Sequence, residues 1–163
     1  TRVLNALLDE DIEYTIHFNE INKFYIQNLK NTYPNCKIHK NFNSYPDEFS
    51  IIIANEFFDA LAIKQFQKKG NLWFEKFVSL NKKTTSFLEK KINMKNYEKK
   101  INFKISKNQN FIEYSELGIN YLKQISKIIK ARSGGILIID YGYNEDKMKN
   151  TLQALYKLSL IHI

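Results

Sequence analysis

Two runs of apolar residues, each unbroken and each stopped by an acid, restrict this chain more than any other feature. "SIIIANE", residues 50–56, carries Ile51, Ile52, Ile53 and Ala54 up to Asn55 and Glu56. "GGILIID", residues 134–140, carries Ile136, Leu137, Ile138 and Ile139 up to Asp140. A strand with one wet face alternates apolar and polar residues, and these do not. Runs of this kind predict strands covered on both faces, the condition of parallel sheets built with helical crossovers.

The segments around them read as the rest of an α/β chain. Residues 14–18 are β-branched and aromatic, a short strand. Ile21, Phe24, Tyr25 and Leu29 recur at helical spacing and predict a helix over 22–30, which Pro34 closes off. Residues 36–39 form a weak strand candidate. Residues 63–67 and 72–78 read as a hairpin around Lys68-Lys69-Gly70-Asn71, with faces left open because Trp73 and Phe74 are neighbours. The Lys- and Asn-rich stretch 81–110 reads as an excursion, a peripheral helix with short strands and a solvated charged face. Strand character returns at 112–114. Ser115 and Glu116 then open an amphipathic helix through Leu117, Tyr121, Ile125 and Ile129 to about Arg132, where Ser133-Gly134-Gly135 stops it. Residues 3–8 read as the end of a helix, with an acidic turn at 9–11. The order of elements is that of crossover units.

Composition bounds the function classes. With 163 residues and 44% hydrophobic content the chain fits one core, not two. A net charge of +8 raises nucleic acid as a partner. The excess, however, is lysine, with Arg2 and Arg132 the only arginines, and it goes with abundant Asn and Ile, as an AT-rich coding bias would give. No lysine stripe interleaves with exposed aromatics, so a nucleic-acid binder is the last of the readings. The single Cys36 rules out an internal disulfide and a multi-thiolate zinc site. His17, His39 and His162 lack metal spacing, and the first two fall in predicted strands as structural residues. No apolar stretch has the length of a membrane span, and no cleavable targeting segment is visible.

The acids at the strand ends are the candidate site. In open parallel sheets ligands collect beyond the carboxyl ends of the strands. Glu56 and Asp140 stand there, and Glu20 lies two residues past the strand at 14–18. A carboxylate in that position can accept two hydrogen bonds from a ribose diol. Glu56 and Asp59 are three apart and share a side if a turn or helix begins after Asn55. The structural alternative is that one of them caps a new helix. Phe57 and Phe58 read as core or pocket wall.

"IIIANEFFDALAIKQF", residues 51–66, resembles the signature block of the MidA-like family of S-adenosylmethionine-dependent methyltransferases, which includes a mitochondrial complex I assembly arginine methyltransferase. "IHFNEINKFYIQNL" resembles the family's second strand, its acid and the helix behind it. "LWFEKFV" resembles the second arm of the hairpin, and "GGILIIDYGY" with "NTLQAL" resembles the downstream blocks. The likeness runs through most of 3–157 and is weakest over 81–110. Ala62 stands where the family usually has proline.

The resemblance implies a partial Rossmann-like class I methyltransferase fold, an open and mostly parallel sheet with an inserted hairpin and helical excursion around 63–110. It implies S-adenosyl-L-methionine as cofactor, with Glu20 holding the ribose and Asn55 the amino-acid end. Glu56 and Asp59 become the catalytic acids, and Asp140 and Tyr141 line the substrate cleft. A guanidinium is a poor nucleophile at neutral pH, so acids that orient it and favour its losing a proton suit methyl transfer to arginine. The implied partner is a protein, a respiratory complex I subunit among the candidates; the implied compartment is the cytoplasm in a bacterium or the mitochondrial matrix in a eukaryote. Another methyl acceptor, or a non-catalytic assembly protein that keeps the fold, are the alternatives. The chain starts at Thr1 in mid-helix rhythm, so 1–157 is expected to be an internal piece, inactive by itself, whose first strand and glycine-rich loop lie upstream. Residues 158–163 match a translated sequencing adapter and are expected to be foreign.

Overall fold

The two apolar runs pair with each other. In the computed structural model, which describes residues 13–46, 48–81, 84–156 and 159–161, they are strands β3 (Ser50–Asn55) and β8 (Gly134–Ile139). They run parallel in register from Ser50 opposite Gly134 to Asn55 opposite Ile139. A second parallel pair joins β1 (His17–Asn19) to β2 (Lys37–His39). Between them lies helix α1 (Lys23–Thr32), started by Asn22, whose side chain accepts the Phe24 N–H at 2.9 Å. The predicted boundaries move by a few residues: β1 is shorter than 14–18 and α1 runs to Thr32. Among the described residues the two parallel pairs are separate sheets.

Burial corrects the expectation for the apolar runs. Ala54 is buried, but Ile51 is 69% exposed and Leu137 50% exposed. Register puts Ile51, Ile53, Leu137 and Ile139 on one face, and all four are exposed. Helix α3 (Glu116–Arg132) packs against β8, and its Tyr121 touches Phe42 and Phe57. That layer has no counterpart on the opposite face among the described residues. The parallel-strand character of the apolar runs was thus legible; the expected covering of both faces is not what the structure has.

The best-buried core lies where the sequence suggested an excursion. Strands β4 (Lys64–Lys69), β5 (Leu72–Asn81), β6 (Thr84–Ile92) and β7 (Phe111–Tyr114) form an antiparallel sheet in the order β6-β5-β4-β7. Phe66 and Ile112 are wholly buried there, beneath Met94 and Tyr97 of helix α2 (Met94–Ile101) and beside Ile105. Residues 81–110 therefore split: β6 is a nine-residue strand, longer than expected and almost wholly exposed, whereas 94–105 supply core. Trp73 packs on this core, and Phe74 meets the Lys69 ammonium at 5.7 Å, which settles the hairpin's faces. Burial pushes the Tyr97 phenol up to about 12.

The chain returns from β8 to this sheet through polar contacts. Gln65 donates to Glu113 and to Asn150, each at 2.8 Å, and the Thr151 N–H donates to Glu113 at 3.0 Å. Gln65 is buried, so these bonds replace the water it has lost. Strands β9 (Ala154–Tyr156) and β10 (Ser159–Ile161) then pair antiparallel. The helical residues expected at 3–8 and the acidic turn at 9–11 lie outside the described residues.

Helix α3 is fixed at both ends. The Ser115 hydroxyl accepts the Gly118 N–H at 3.0 Å and donates to the Ala62 carbonyl at 3.0 Å. Beyond its far end Ser133 takes φ 59° and Gly134 φ 141°, so the helix stops after Arg132 as expected and β8 begins at once with Gly134. At Gly134 a Cβ would come within 2.1 Å of the Ser50 carbonyl oxygen, whereas at Gly135 it would meet nothing within 4 Å. Gly134→Ala should therefore cost about 2–4 kcal/mol in denaturant unfolding, through strain and overpacking. Gly135→Ala should lie within about 1 kcal/mol of wild type.

Candidate active site

At the carboxyl end of β3 the chain does not become a helix. The Glu56 N–H donates to the Ile139 carbonyl at 2.8 Å, one further rung of the parallel ladder, while Glu56 itself sits at φ 46°. A non-glycine residue with positive φ is uncommon and turns the chain sharply aside. Residues 57–61 follow as a turn, with the Leu61 N–H on the Phe58 carbonyl at 3.2 Å. With no helix at this point, neither Glu56 nor Asp59 is a helix cap.

Asp140 holds that turn. Its Oδ2 accepts the N–H of Phe58 at 3.0 Å and of Asp59 at 3.2 Å, and its Oδ1 accepts the Tyr141 N–H at 2.9 Å. The two sequence blocks are thus tied together by one carboxylate across 82 residues. Asp140 was placed in the substrate cleft from sequence; at this edge its oxygens are engaged in shaping the turn. Tyr141 projects into solvent, 80% exposed. Phe57 and Phe58 are half-buried, edge to face at 5.1 Å, with Phe57 5.6 Å from Tyr121, as wall residues should be.

The structure thus brings Asn55, Glu56, Asp59 and Asp140 to one edge. Glu56 and Asp59 are exposed, and neither carboxylate accepts a hydrogen bond among the described residues. Both remain open to a cation from outside. Glu20 holds the equivalent place on the other parallel pair, just past the end of β1. Its N–H donates to the His39 carbonyl at 3.0 Å, and its Oε1 accepts the N–H groups of Ile21 and Asn22, each at 2.7 Å. Oε2 has no protein partner among the described residues, so the side chain is pre-aimed by its own turn with one oxygen free.

Three sets of residues around the site went unread in the sequence. The Gln65–Glu113–Thr151 cluster has no linear motif, because its members come from three elements. The anchoring role of Asp140 depends on a turn that no spacing rule supplies. His17 and His39, taken as structural, stand in adjacent strands and touch: His17 Nδ1 lies 2.8 Å from His39 Nε2. Alternation along β1 and β2 held that signal, since parallel pairing puts both rings on one face.

Comparison with known proteins bears on the family and the fold. A family model described as "Putative S-adenosyl-L-methionine-dependent methyltransferase" matches residues 11–162. The mitochondrial protein arginine methyltransferase NDUFAF7 homolog of Caenorhabditis elegans is 29% identical over 157 residues, covering 92% of this chain and 37% of that protein. Its Mus musculus counterpart is 25% identical over 118 residues, 72% of this chain and 27% of that protein. The chain thus spans well under half the length of these relatives. In fold it is similar to a Burkholderia thailandensis crystal structure bound to S-adenosyl-homocysteine, with a TM-score of 0.56 at 18% identity, over 87% of this chain and 38% of the other. The fold is therefore α/β and Rossmann-like.

Removing the anchor should open the turn. Asp140→Ala leaves two long-range N–H groups without their acceptor and should cost about 1–3 kcal/mol. Amide exchange at Phe58 and Asp59 should quicken by at least about tenfold. Exchange at Gln67, in the antiparallel sheet, should stay as in wild type.

Proposed function

Because this chain belongs to the putative S-adenosyl-L-methionine-dependent methyltransferase family, we propose that the protein binds S-adenosyl-L-methionine and methylates an arginine of a protein substrate. The observation that carries the reading is the pair of unpaired acids, Glu56 and Asp59, set on a turn at the carboxyl end of a parallel strand pair. The residues present fit the cofactor on one test: Glu20 ends β1 with one carboxylate oxygen free and the other fixed by two backbone donors. A free carboxylate oxygen is the acceptor that the hydroxyls of a ribose diol need. When bound, the cofactor supplies an electrophilic methyl on a sulfonium.

The chain's own residues supply binding and orientation. Glu20 accepts from the ribose hydroxyls. Asn55, the last residue of β3, faces the amino-acid end. Glu56 and Asp59 orient a guanidinium through charge-assisted hydrogen bonds and hold one nitrogen in line. That nitrogen must shed a proton as it gains carbon, and a nearby carboxylate stabilises the charge that develops. The exposure of both acids suits a substrate presented on a protein surface. Support for arginine comes from the names of relatives at 25–29% identity, and a link to respiratory complex I comes only from the resemblance of the sequence.

Calorimetric titration of the full-length protein with S-adenosyl-L-methionine tests the binding half. Glu20→Ala should weaken affinity by about 10- to 100-fold, the loss of one or two charge-assisted hydrogen bonds. Asp59→Asn should leave affinity close to wild type and lower kcat on an arginine substrate by about tenfold or more. Full activity in Asp59→Asn would defeat the clamp, and unchanged affinity in Glu20→Ala would defeat the ribose role.

A further inference from the structure

Beneath the Glu20 edge runs a chain of hydrogen bonds that the proposed reaction does not use. His17 Nδ1 lies 2.8 Å from His39 Nε2, and His39 Nδ1 lies 2.7 Å from the Ser44 hydroxyl. The Tyr45 ring stacks on both imidazoles, at 6.0 Å from His17 and 4.4 Å from His39. His39 is only 7% exposed. The proton positions follow from the acceptors. The Ser44 hydroxyl donates to the Asn41 carbonyl at 3.3 Å, so its oxygen accepts from His39 Nδ1–H. A neutral His39 then offers Nε2 as acceptor, and His17 Nδ1–H donates to it.

This arrangement can take one proton but not two. A first proton can enter at His17 Nε2 and leave the inter-ring bond intact. A second needs His39 Nε2, the atom already occupied by the His17 N–H, so it must break the bond between the rings. Surrounding groups set the balance. Burial and the Lys37 ammonium hold both imidazoles below their ordinary range, His39 lowers His17 further, and Glu48 opposes this at His17. Tyr45 stays a neutral phenol, raised by burial. Because the folded values lie below the unfolded ones, the stability these histidines confer is complete above the unfolded value near 6.5 and is lost as pH falls through the folded values.

The position of the pair gives that loss a target. His39 is the last residue of β2, and its carbonyl accepts the Glu20 N–H at 3.0 Å. We propose that the His17–His39–Ser44 chain is a proton-sensitive tie across β1 and β2 that positions Glu20, with His39 acting as a positioning residue. Breaking the inter-ring bond frees the end of β2 and with it the backbone that aims the Glu20 carboxylate. The consequence for cofactor affinity rests on the ribose role assigned to Glu20 above.

Nuclear magnetic resonance decides the tie without any cofactor. At pH 7.5 the ring nitrogens of both histidines should report the Nδ1–H tautomer. On lowering the pH to 5 the two rings should titrate in linked steps below 6.5, and the Glu20 amide should shift along the same curve. In His17→Ala the Nε2 lone pair of His39 is released, so its midpoint should move up toward the ordinary imidazole value. Independent titration of the rings, a static Glu20 amide, or an unmoved His39 midpoint in His17→Ala would each overturn the proposal. The cofactor arm is read separately. Affinity for S-adenosyl-L-methionine should fall about three- to tenfold in wild type over the pH range in which the second proton enters, as the Glu20 amide reports it. If the tie holds and Glu20→Ala leaves affinity unchanged, the ribose role fails and the tie stands. If Glu20→Ala loses affinity and the Glu20 amide ignores the histidines, the tie fails and the ribose role stands.

Discussion

One carboxylate organises this structure. Asp140 accepts three backbone N–H groups, two of them from a turn that lies 82 residues earlier in the chain. Without it, the turn after β3 would have a left-handed residue at its start, two donors without their acceptor and, among the described residues, only the Leu61–Phe58 bond and the packing of Phe57 to hold it. With it, Glu56 and Asp59 are displayed as free acids while their backbone is held. A charged acceptor binding several amides is among the stronger hydrogen-bond arrangements available to a protein. The chemistry proposed for the site needs groups fixed in place yet unpaired, and this arrangement divides the two duties between different acids.

The same division explains what could be read in the sequence. The apolar runs at 50–54 and 136–139 announced parallel strands because their residue types leave few alternatives, whereas the pairing of β3 with β8 is set by the fold and not by either run. Ser115 announced a helix start because a side-chain acceptor is needed there, whereas Asn22, counted inside its helix, proves to be the cap. The acids at the strand ends were visible as positions. Their separate duties were not, since a carboxylate that shapes a turn and one that waits for a substrate have the same letter code. The depth of the core was misjudged for a related reason. The lysines of 81–110 suggested solvent, and most of β6 is indeed exposed, but Met94 and Ile105, each next to a lysine, are buried by a sheet that only long-range pairing creates.

The two halves of the molecule differ in how they are sealed. The antiparallel sheet closes over Phe66 and Ile112 and binds the returning chain through Gln65 and Glu113. The parallel pairs are open by comparison, with Ile51, Ile53, Leu137 and Ile139 exposed on one face. Polar bonds therefore carry much of the definition of the functional edge: the Asp140 anchor, the Glu20 turn and the histidine pair. Such contacts respond to single substitutions more sharply than a buried apolar surface does.

Sequence separation gives the Asp140 anchor an entropic meaning as well. The strands from β4 to β6 follow one another after two residues each, so their contacts close small loops at little cost in chain entropy. The bond from Phe58 to Asp140 spans 82 residues and closes a far larger loop. The turn that displays the acids is therefore the costlier part to assemble, and the charge-assisted bonds to Asp140 help to offset that cost.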